Sequence, residues 1–370
     1  MSLSRVRLEV DLRALEHNFT EIRRRVQPCR CGAVLKADAY GTGVLRAAEA
    51  VRKAGAVRIF TADVNEAIEV SAAGLPVQLL GTLFKEEAEE SVARGFIVPL
   101  TSFESARMVS QAACAQNRTA VCQIKVDSGM GRFGMMTEEA FEESRKIFAL
   151  PGLKITGLYS HLSSADTPGN SFTQKQIARF CALFNALKNA GFSFEDVHIS
   201  ASNGIGFYSE ALAEPFTFAR AGVIMYGSER GHKEAVPQLK RVISLKSRLA
   251  AVRRMPAGSF IGYGHTYQAA AQVLVGTVPA GYEDGIPLAL SNRGEVLIRG
   301  VRCPIVGRVS MDCFTVLLDG VPEARPGEEV ICLGSDGNNE ITPGDWAALK
   351  GTHVHDIMCS FGRRVERRYL

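Results

Sequence analysis

The chain has 370 residues, 46% of them hydrophobic, with 43 Lys and Arg against 39 Asp and Glu and a formal charge of +4. That length allows two domains with sizeable cores, while the small charge excess excludes a nucleic-acid or acidic-membrane surface as the basis of function. No run of 18 apolar residues marks a membrane span, and nine scattered cysteines without a C-x-x-C pair fit neither a disulfide framework nor a zinc site, so a reducing, cytoplasmic setting without a metal is expected.

Residues 5–10, RVRLEV, read as a strand, after which Asp11 is placed to cap the helix LRALEHNFTEIRRRV. GAVLK (32–36) is the next strand, followed by the loop ADAYGTG and a helix ending near Gly55. Further strands are VRIFT (57–61), VQLLG (77–81), FIVPL (96–100), AVCQIKV (120–126), ITGLYSH (155–161), VHIS (197–200) and FARAG (218–222). Helix-like segments separate most of them. Counted from GAVLK there are eight, with connections long enough for parallel crossovers, which predicts an α/β fold with a TIM-type (β/α)8 barrel. Past about Tyr226 the pattern becomes β-rich and punctuated by glycine, from RVISLKSRLAAVRRM to EEVICLG, which predicts an all-β C-terminal domain. The expected division is 1–235 for the barrel and 236–370 for the β-domain, with the first strand available to pair with the latter.

In such a barrel the chemistry sits where strands end and βα loops begin. Lys36, Tyr40, Arg132, His161, Ser202, Asn203 and Arg220 all fall at those ends. The stretch KVDSGMGRFG (125–134) spells G-x-G-x-x-G, the dinucleotide-binding pattern. It follows the fifth strand rather than the first, and the next strand ends in histidine rather than the acidic residue that would hold a ribose, which excludes NAD. Two readings of the glycines remain: a tight turn for close packing, or a loop that projects Arg132 toward a substrate carboxylate.

Seven ordered motifs, AVLKADAYGTG, KVDSGMGRFG, YSHLSSAD, RAGVIMYG, GYGHTY, GYEDG and GRVSMD, make the chain resemble the alanine racemases, pyridoxal-phosphate (PLP) enzymes with a barrel and a C-terminal β-domain. The resemblance implies that Lys36 forms the Schiff base with PLP. It implies phosphate contacts from Tyr40 and the N–H groups of Gly222 and Val223, and an arginine, Arg220, at the pyridine nitrogen. Guanidinium does not readily give up a proton, so the ring would be a weaker electron sink and side reactions such as transamination would be restrained. Tyr263 matches a second base facing Lys36 across Cα, since racemisation needs a base on each face. A free tyrosine titrates at about pH 10, and His161 with Arg220 match the network that helps it. Arg132 and the N–H of Met311 match substrate-carboxylate contacts, and Lys125 matches a lysine often carbamylated in the family. Tyr282 and Asp312 match positions at the site mouth. Tyr263, Tyr282, Met311 and Asp312 would come from a partner subunit, which implies a homodimer.

The chain departs from the family pattern in places. A phosphate-binding serine is expected after Asn203, where Gly204 stands, so its hydroxyl is read as lost, with Ser202 nearby. Arg363 falls where some members have a tyrosine reaching the phosphate, and either takes over that contact or belongs to a solvated basic tail. The expected reaction is interconversion of L- and D-alanine. The alternatives are racemisation of serine or a broader set of amino acids, or a barrel-type PLP decarboxylase, against which Arg220 argues.

Overall fold

The computed structural model describes residues 4–370; the first three residues of the expected barrel span lie outside it. Strand β1 (Arg7–Val10) leads into the helix Leu12–Arg25, whose first turn is capped by Asp11 accepting from Ala14 N–H. Then come β2 (Arg30–Val34), β3 (Ile59–Thr61), β4 (Val77–Leu79), β5 (Val98–Leu100), β6 (Ala120–Asp127), the two-residue β7 (Met135–Met136), β8 (Leu153–Tyr159), β9 (Asp196–His198) and β10 (Phe218–Ala221). Apart from β7, a parallel add-on to β6, the eight strands from β2 to β10 are those predicted.

They are parallel and form two ladders, β10-β2-β3-β4 and β5-β6-β8-β9. The ladders close on each other. Leu79 N–H donates to Ile97 O and Ile97 N–H to Val77 O on one side, and Thr217 N–H donates to Val197 O and Arg220 N–H to Ser200 O on the other. The strands are short and almost wholly buried because helices cover their outer faces.

The remainder is strand-rich: β11 (Ile243–Arg248), β12 (Ala251–Met255), β13 (Phe260–Ile261), β14 (Tyr267–Gln268), β15 (Val273–Val278), β16 (Glu295–Ile298), β17 (Val301–Val306), β18 (Phe314–Leu317), β19 (Glu329–Asp336), β20 (Asn339–Ile341) and β21 (Glu366–Tyr369). One sheet runs β12-β15-β18-β17-β16-β19-β11-β1-β21. Strand β1 thus lies between β11, antiparallel, and β21, parallel, so the first strand of the chain belongs to the C-terminal sheet. Two helices that the sequence reading did not include, Pro343–Lys350 and Val354–Met358, pack this region back toward the barrel.

Candidate functional site

The C-terminal ends of the barrel strands form one mouth, and the turn after β2 shapes it. Ala37, Asp38, Ala39 and Tyr40 all have positive φ, between 51° and 59°, a left-handed turn built without glycine. Each such residue costs roughly 1–2 kcal/mol, so neighbours must hold the turn. Tyr226 Oη donates to Ala39 O (2.6 Å), Thr42 Oγ1 donates to the same carbonyl (2.7 Å), and Ala37 N–H donates to Glu66 (2.6 Å). The turn carries both Lys36 and Tyr40. Lys36 is half-buried; its ammonium is disfavoured by burial and by the nearby Arg132.

Tyr40 Oη, Ser202 Oγ and the backbone at Gly222 converge. The N–H groups of Gly222 and Ile224 point at Ser202 Oγ (3.2 and 3.3 Å). A Cβ at Gly222 would stand 2.6 Å from Tyr40 Oη and 3.2 Å from Ser202 Oγ, so the cradle exists only because residue 222 has no side chain. Ser202, expected near the lost hydroxyl, opens the helix Ser202–Phe207 and brings its own hydroxyl to this cradle, while a Cβ at Gly204 would lie 2.5 Å from Ser200 Oγ. Asn203 faces away, its Oδ1 accepting from His232 Nε2 (2.6 Å). Val223 follows the cradle glycine, and the N–H of Ile224, one residue on, also points at Ser202 Oγ (3.3 Å). Arg363 is exposed, and among the described residues its side chain has no hydrogen-bond or ion-pair partner. Its neighbour Arg364 is the engaged one, pairing with Asp284 and Asp312 (both 2.8 Å) and donating to Met311 O (3.1 Å).

The glycine-rich loop has a clear anchor. Asp127, ending β6, accepts from the N–H groups of Gly129 (2.8 Å), Met130 (2.6 Å) and Arg132 (2.9 Å). Burial alone would raise its pKa, but those N–H groups hold it below the ordinary carboxylate value. The nest of N–H groups that a pyrophosphate would need is filled by the protein's own carboxylate. Gly134 lets the loop return: a Cβ there would meet the backbone of 125–127 at 2.9 Å. Arg132 is exposed at the mouth.

Lys125 is buried, its Nζ donating to Leu80 O (2.8 Å) and lying over the Phe133 and Tyr159 rings. Burial, then Arg132 and Arg220, lower its pKa to about 7. Arg220 is buried too; burial lowers its guanidinium to about 10. It donates to His198 Nδ1, Ser160 O (2.9 Å), Ile199 O (3.1 Å) and His161 Nδ1 (3.3 Å). His161 is held well below the usual histidine range by burial and then by Arg220, so it is neutral.

Tyr263, Tyr282, Met311 and Asp312 stand on adjoining loops of the C-terminal region. A Cβ at Gly262 would meet Arg308 N at 2.9 Å, which fixes the Tyr263 turn against the Gly307–Arg308 strand end. Tyr282 N–H donates to Ser310 O (3.0 Å) and Glu283 N–H to Met311 O (3.3 Å). None of the four makes a polar contact with Lys36, Arg132, His161 or Arg220 of the same chain among the described residues. Tyr263 is 72% exposed, Met311 50% and Tyr282 47%.

Two hydroxyls and two backbone N–H groups gathered around Gly222, on the same mouth as a lysine pushed toward its neutral form, fit a phosphate-bearing carbonyl cofactor such as PLP. Among the described residues no group of three or more His, Cys, Asp or Glu is placed to hold a metal, and no helix is long and apolar enough to cross a membrane.

The chain is similar to known proteins over nearly all of its length. Residues 10–230 match the family described as alanine racemase, N-terminal domain, and residues 242–369 match alanine racemase, C-terminal domain. The alanine racemase of Syntrophobacter fumaroxidans is 36% identical over 362 residues, covering 96% of this chain and 95% of that protein. That of Symbiobacterium thermophilum is 35% identical, covering 98% and 96%. The crystal structure of alanine racemase from D-cycloserine-producing Streptomyces lavendulae superposes with a TM-score of 0.92 at 32% identity, covering 100% of this chain and 98% of that one. Alanine racemase from Bartonella henselae, solved with covalently bound pyridoxal phosphate, gives 0.88 at 27% identity, covering 99% and 100%.

Proposed function

The chain belongs to the alanine racemase family and is an isomerase of that type, and from this premise we propose that it interconverts L- and D-alanine by two-base proton exchange with PLP held on Lys36. The observation that carries the cofactor is the cradle of Tyr40 Oη, Ser202 Oγ and the Gly222 and Ile224 N–H groups, to which a phosphate oxygen is the natural complement. Bound there, PLP withdraws electrons from an attached amino acid and acidifies its Cα–H.

This chain's own residues do the rest. Lys36, disfavoured as an ammonium, takes or returns the Cα proton on one face. Tyr263 of a partner subunit does so on the other, in a cytoplasmic homodimer. Arg220 presents a donor with little tendency to release its proton; His161, kept neutral by burial and then by Arg220, accepts from it at Nδ1 and so offers its Nε2–H to Tyr263. Arg132 and the Met311 N–H of the partner subunit receive the substrate carboxylate; Tyr282 and Asp312 border the mouth and limit its width. Lys125, among cations, is carbamylated and orients Arg132. Serine is turned over more slowly than alanine.

Borohydride reduction followed by peptide mass spectrometry should find the cofactor mass on Lys36. In D2O both enantiomers of alanine should acquire deuterium at Cα. Attachment to another lysine, or carbon dioxide release from lysine or ornithine without racemisation, would overturn this reading.

A further inference from the structure

Below the mouth, the barrel interior carries a chain of polar side chains that the site does not require for cofactor or substrate contact. His198, at the end of β9, is fully buried and stacked on Tyr159 (centroids 4.9 Å apart). Its Nδ1 receives Arg220, which can only donate, so Nδ1 carries no proton and the ring proton sits on Nε2. Nε2 then needs an acceptor, and Gln123 Oε1 lies 2.8 Å away.

A glutamine amide offers oxygen or nitrogen depending on how it is turned, and this one is held from two sides. Its Nε2 donates to Asp196 Oδ2 (2.7 Å), an atom that can only accept. Its Oε1 also receives Gln78 Nε2 (2.7 Å), and Gln78 is itself turned by Arg58, which donates to its Oε1 (2.9 Å). Asp196, fully buried, is held by Arg58 (2.7 Å) and Arg30 (2.5 Å) at the opposite end of the barrel from the mouth. The backbone makes room for the amide. The β6–β8 register shifts between Cys122 and Gln123. A Cβ on Gly157 of β8 would lie 2.6 Å from Gln123 Cδ and 2.7 Å from its Nε2.

We propose that Gln123, turned by Asp196 and Gln78, is a positioning residue that holds His198 in its Nε2–H form with the Nδ1 lone pair aimed at Arg220. Among the described residues, His198 is the one side-chain acceptor of Arg220 Nη1; the three other acceptors all serve Nη2. Losing the hold on His198 therefore lets the guanidinium turn about its own plane, while Arg132 and the carboxylate contact are untouched. This role for Gln123 rests on the proposed role of Arg220, although the tautomer of His198 can be tested without it.

The test begins with the cofactor-free protein labelled with 15N in histidine. Nitrogen–proton correlation spectra at neutral pH should show His198 neutral, protonated on Nε2, with a slowly exchanging ring proton. Protonation on Nδ1, or on both nitrogens, overturns the proposal whatever the enzyme catalyses. Two variants follow. Gln123→Met removes the acceptor at similar length; Gly157→Ala keeps every polar group but its Cβ presses on the amide and on the Asp196 carbonyl 2.8 Å away, at a residue whose φ permits a side chain. In each folded variant the Nε2 proton should exchange quickly. Racemisation kcat per bound cofactor should fall roughly tenfold or more, as expected for a lost hydrogen bond in a charged network, with KM for alanine unchanged. A retained slow-exchanging proton, or unchanged kcat in both variants, overturns it. Absence of racemisation in the wild type would instead count against the proposed function and leave the spectra to decide on the chain.

Discussion

Lys125 is a buried amine with Arg132, Arg220 and Lys36 around it and Asp127 as a nearby acid. That field disfavours another cation and favours an anion, which attack of the amine on carbon dioxide supplies, with the proton leaving to solvent. With a pKa of about 7 in the fold against 10.5 for a free lysine, the unfolded chain binds the extra proton between those values. Stability therefore rises with pH through that window, and the burden is complete below about pH 7. The reactive amine appears around pH 7, at the lower edge of that window. Carbon-13 NMR with labelled bicarbonate should show a carbamate growing between about pH 6 and pH 8, absent in Lys125→Met; no carbamate at any of these pH values would refute it. Legibility at this scale was uneven. Lys36, Arg132 and Arg220 were readable because strand ends name positions in a barrel. Ser202 and Gly204 were both named there, but which of them turns a side chain inward depends on the helix that starts at Ser202. Gln123 and Asp196 were not singled out, although glutamine inside AVCQIKV and aspartate just before VHIS were the available signals. Arg364 was hidden in what reads as a basic tail, and only the fold brings it to Asp284 and Asp312.

The glycine-rich loop shows how an element acquires a purpose from its anchor. Its sequence pattern is that of a nucleotide loop, but one carboxylate, Asp127, consumes three of its N–H groups and fixes the start of Arg132. In Asp127→Asn one carboxylate oxygen becomes an NH2 that faces backbone donors, so the loop loosens where Arg132 leaves it. KM for alanine should rise about tenfold, the scale of one charge-assisted hydrogen bond, and kcat should stay within about twofold. Steady-state kinetics decide this, and a loss confined to kcat would speak against the loop as a carboxylate-binding element. The eight strands were legible because short apolar runs and intervening helices repeat. The left-handed turn at 37–40 was not: Ala, Asp, Ala and Tyr carry no preference for positive φ, and the turn is held by Tyr226, Thr42 and Glu66 from elsewhere. The helices Pro343–Lys350 and Val354–Met358 were missed among β-rich neighbours because each is only eight and five residues long.

At the scale of the molecule, the two ends of the chain meet: β1 and β21 lie side by side in the C-terminal sheet, tying the start of the barrel to the end of the chain. The same region presents Tyr263, Met311 and Tyr282 on adjoining loops, each about half exposed or more, an apolar cluster of the kind that marks an interaction surface. Meanwhile Lys36 and Arg220 lie in the barrel mouth without any of these residues in polar contact. A two-fold pairing that sets this cluster over the partner's mouth would complete two equivalent sites. Lys36→Ala and Tyr263→Ala should each be nearly inactive in racemisation. Refolded together in equal amounts, about half of the dimers formed at random are mixed, and each mixed dimer has one site with both lesions and one with neither, so activity should return to roughly a quarter of wild type. If instead Tyr263 served the mouth of its own chain, every site in every mixed dimer would keep one lesion. Mixed dimers isolated by differential tagging, yet no more active than the separate variants, would exclude sites shared between subunits. Recovery near a quarter would also exclude a second base from the barrel itself, because Tyr263→Ala leaves every barrel residue in place.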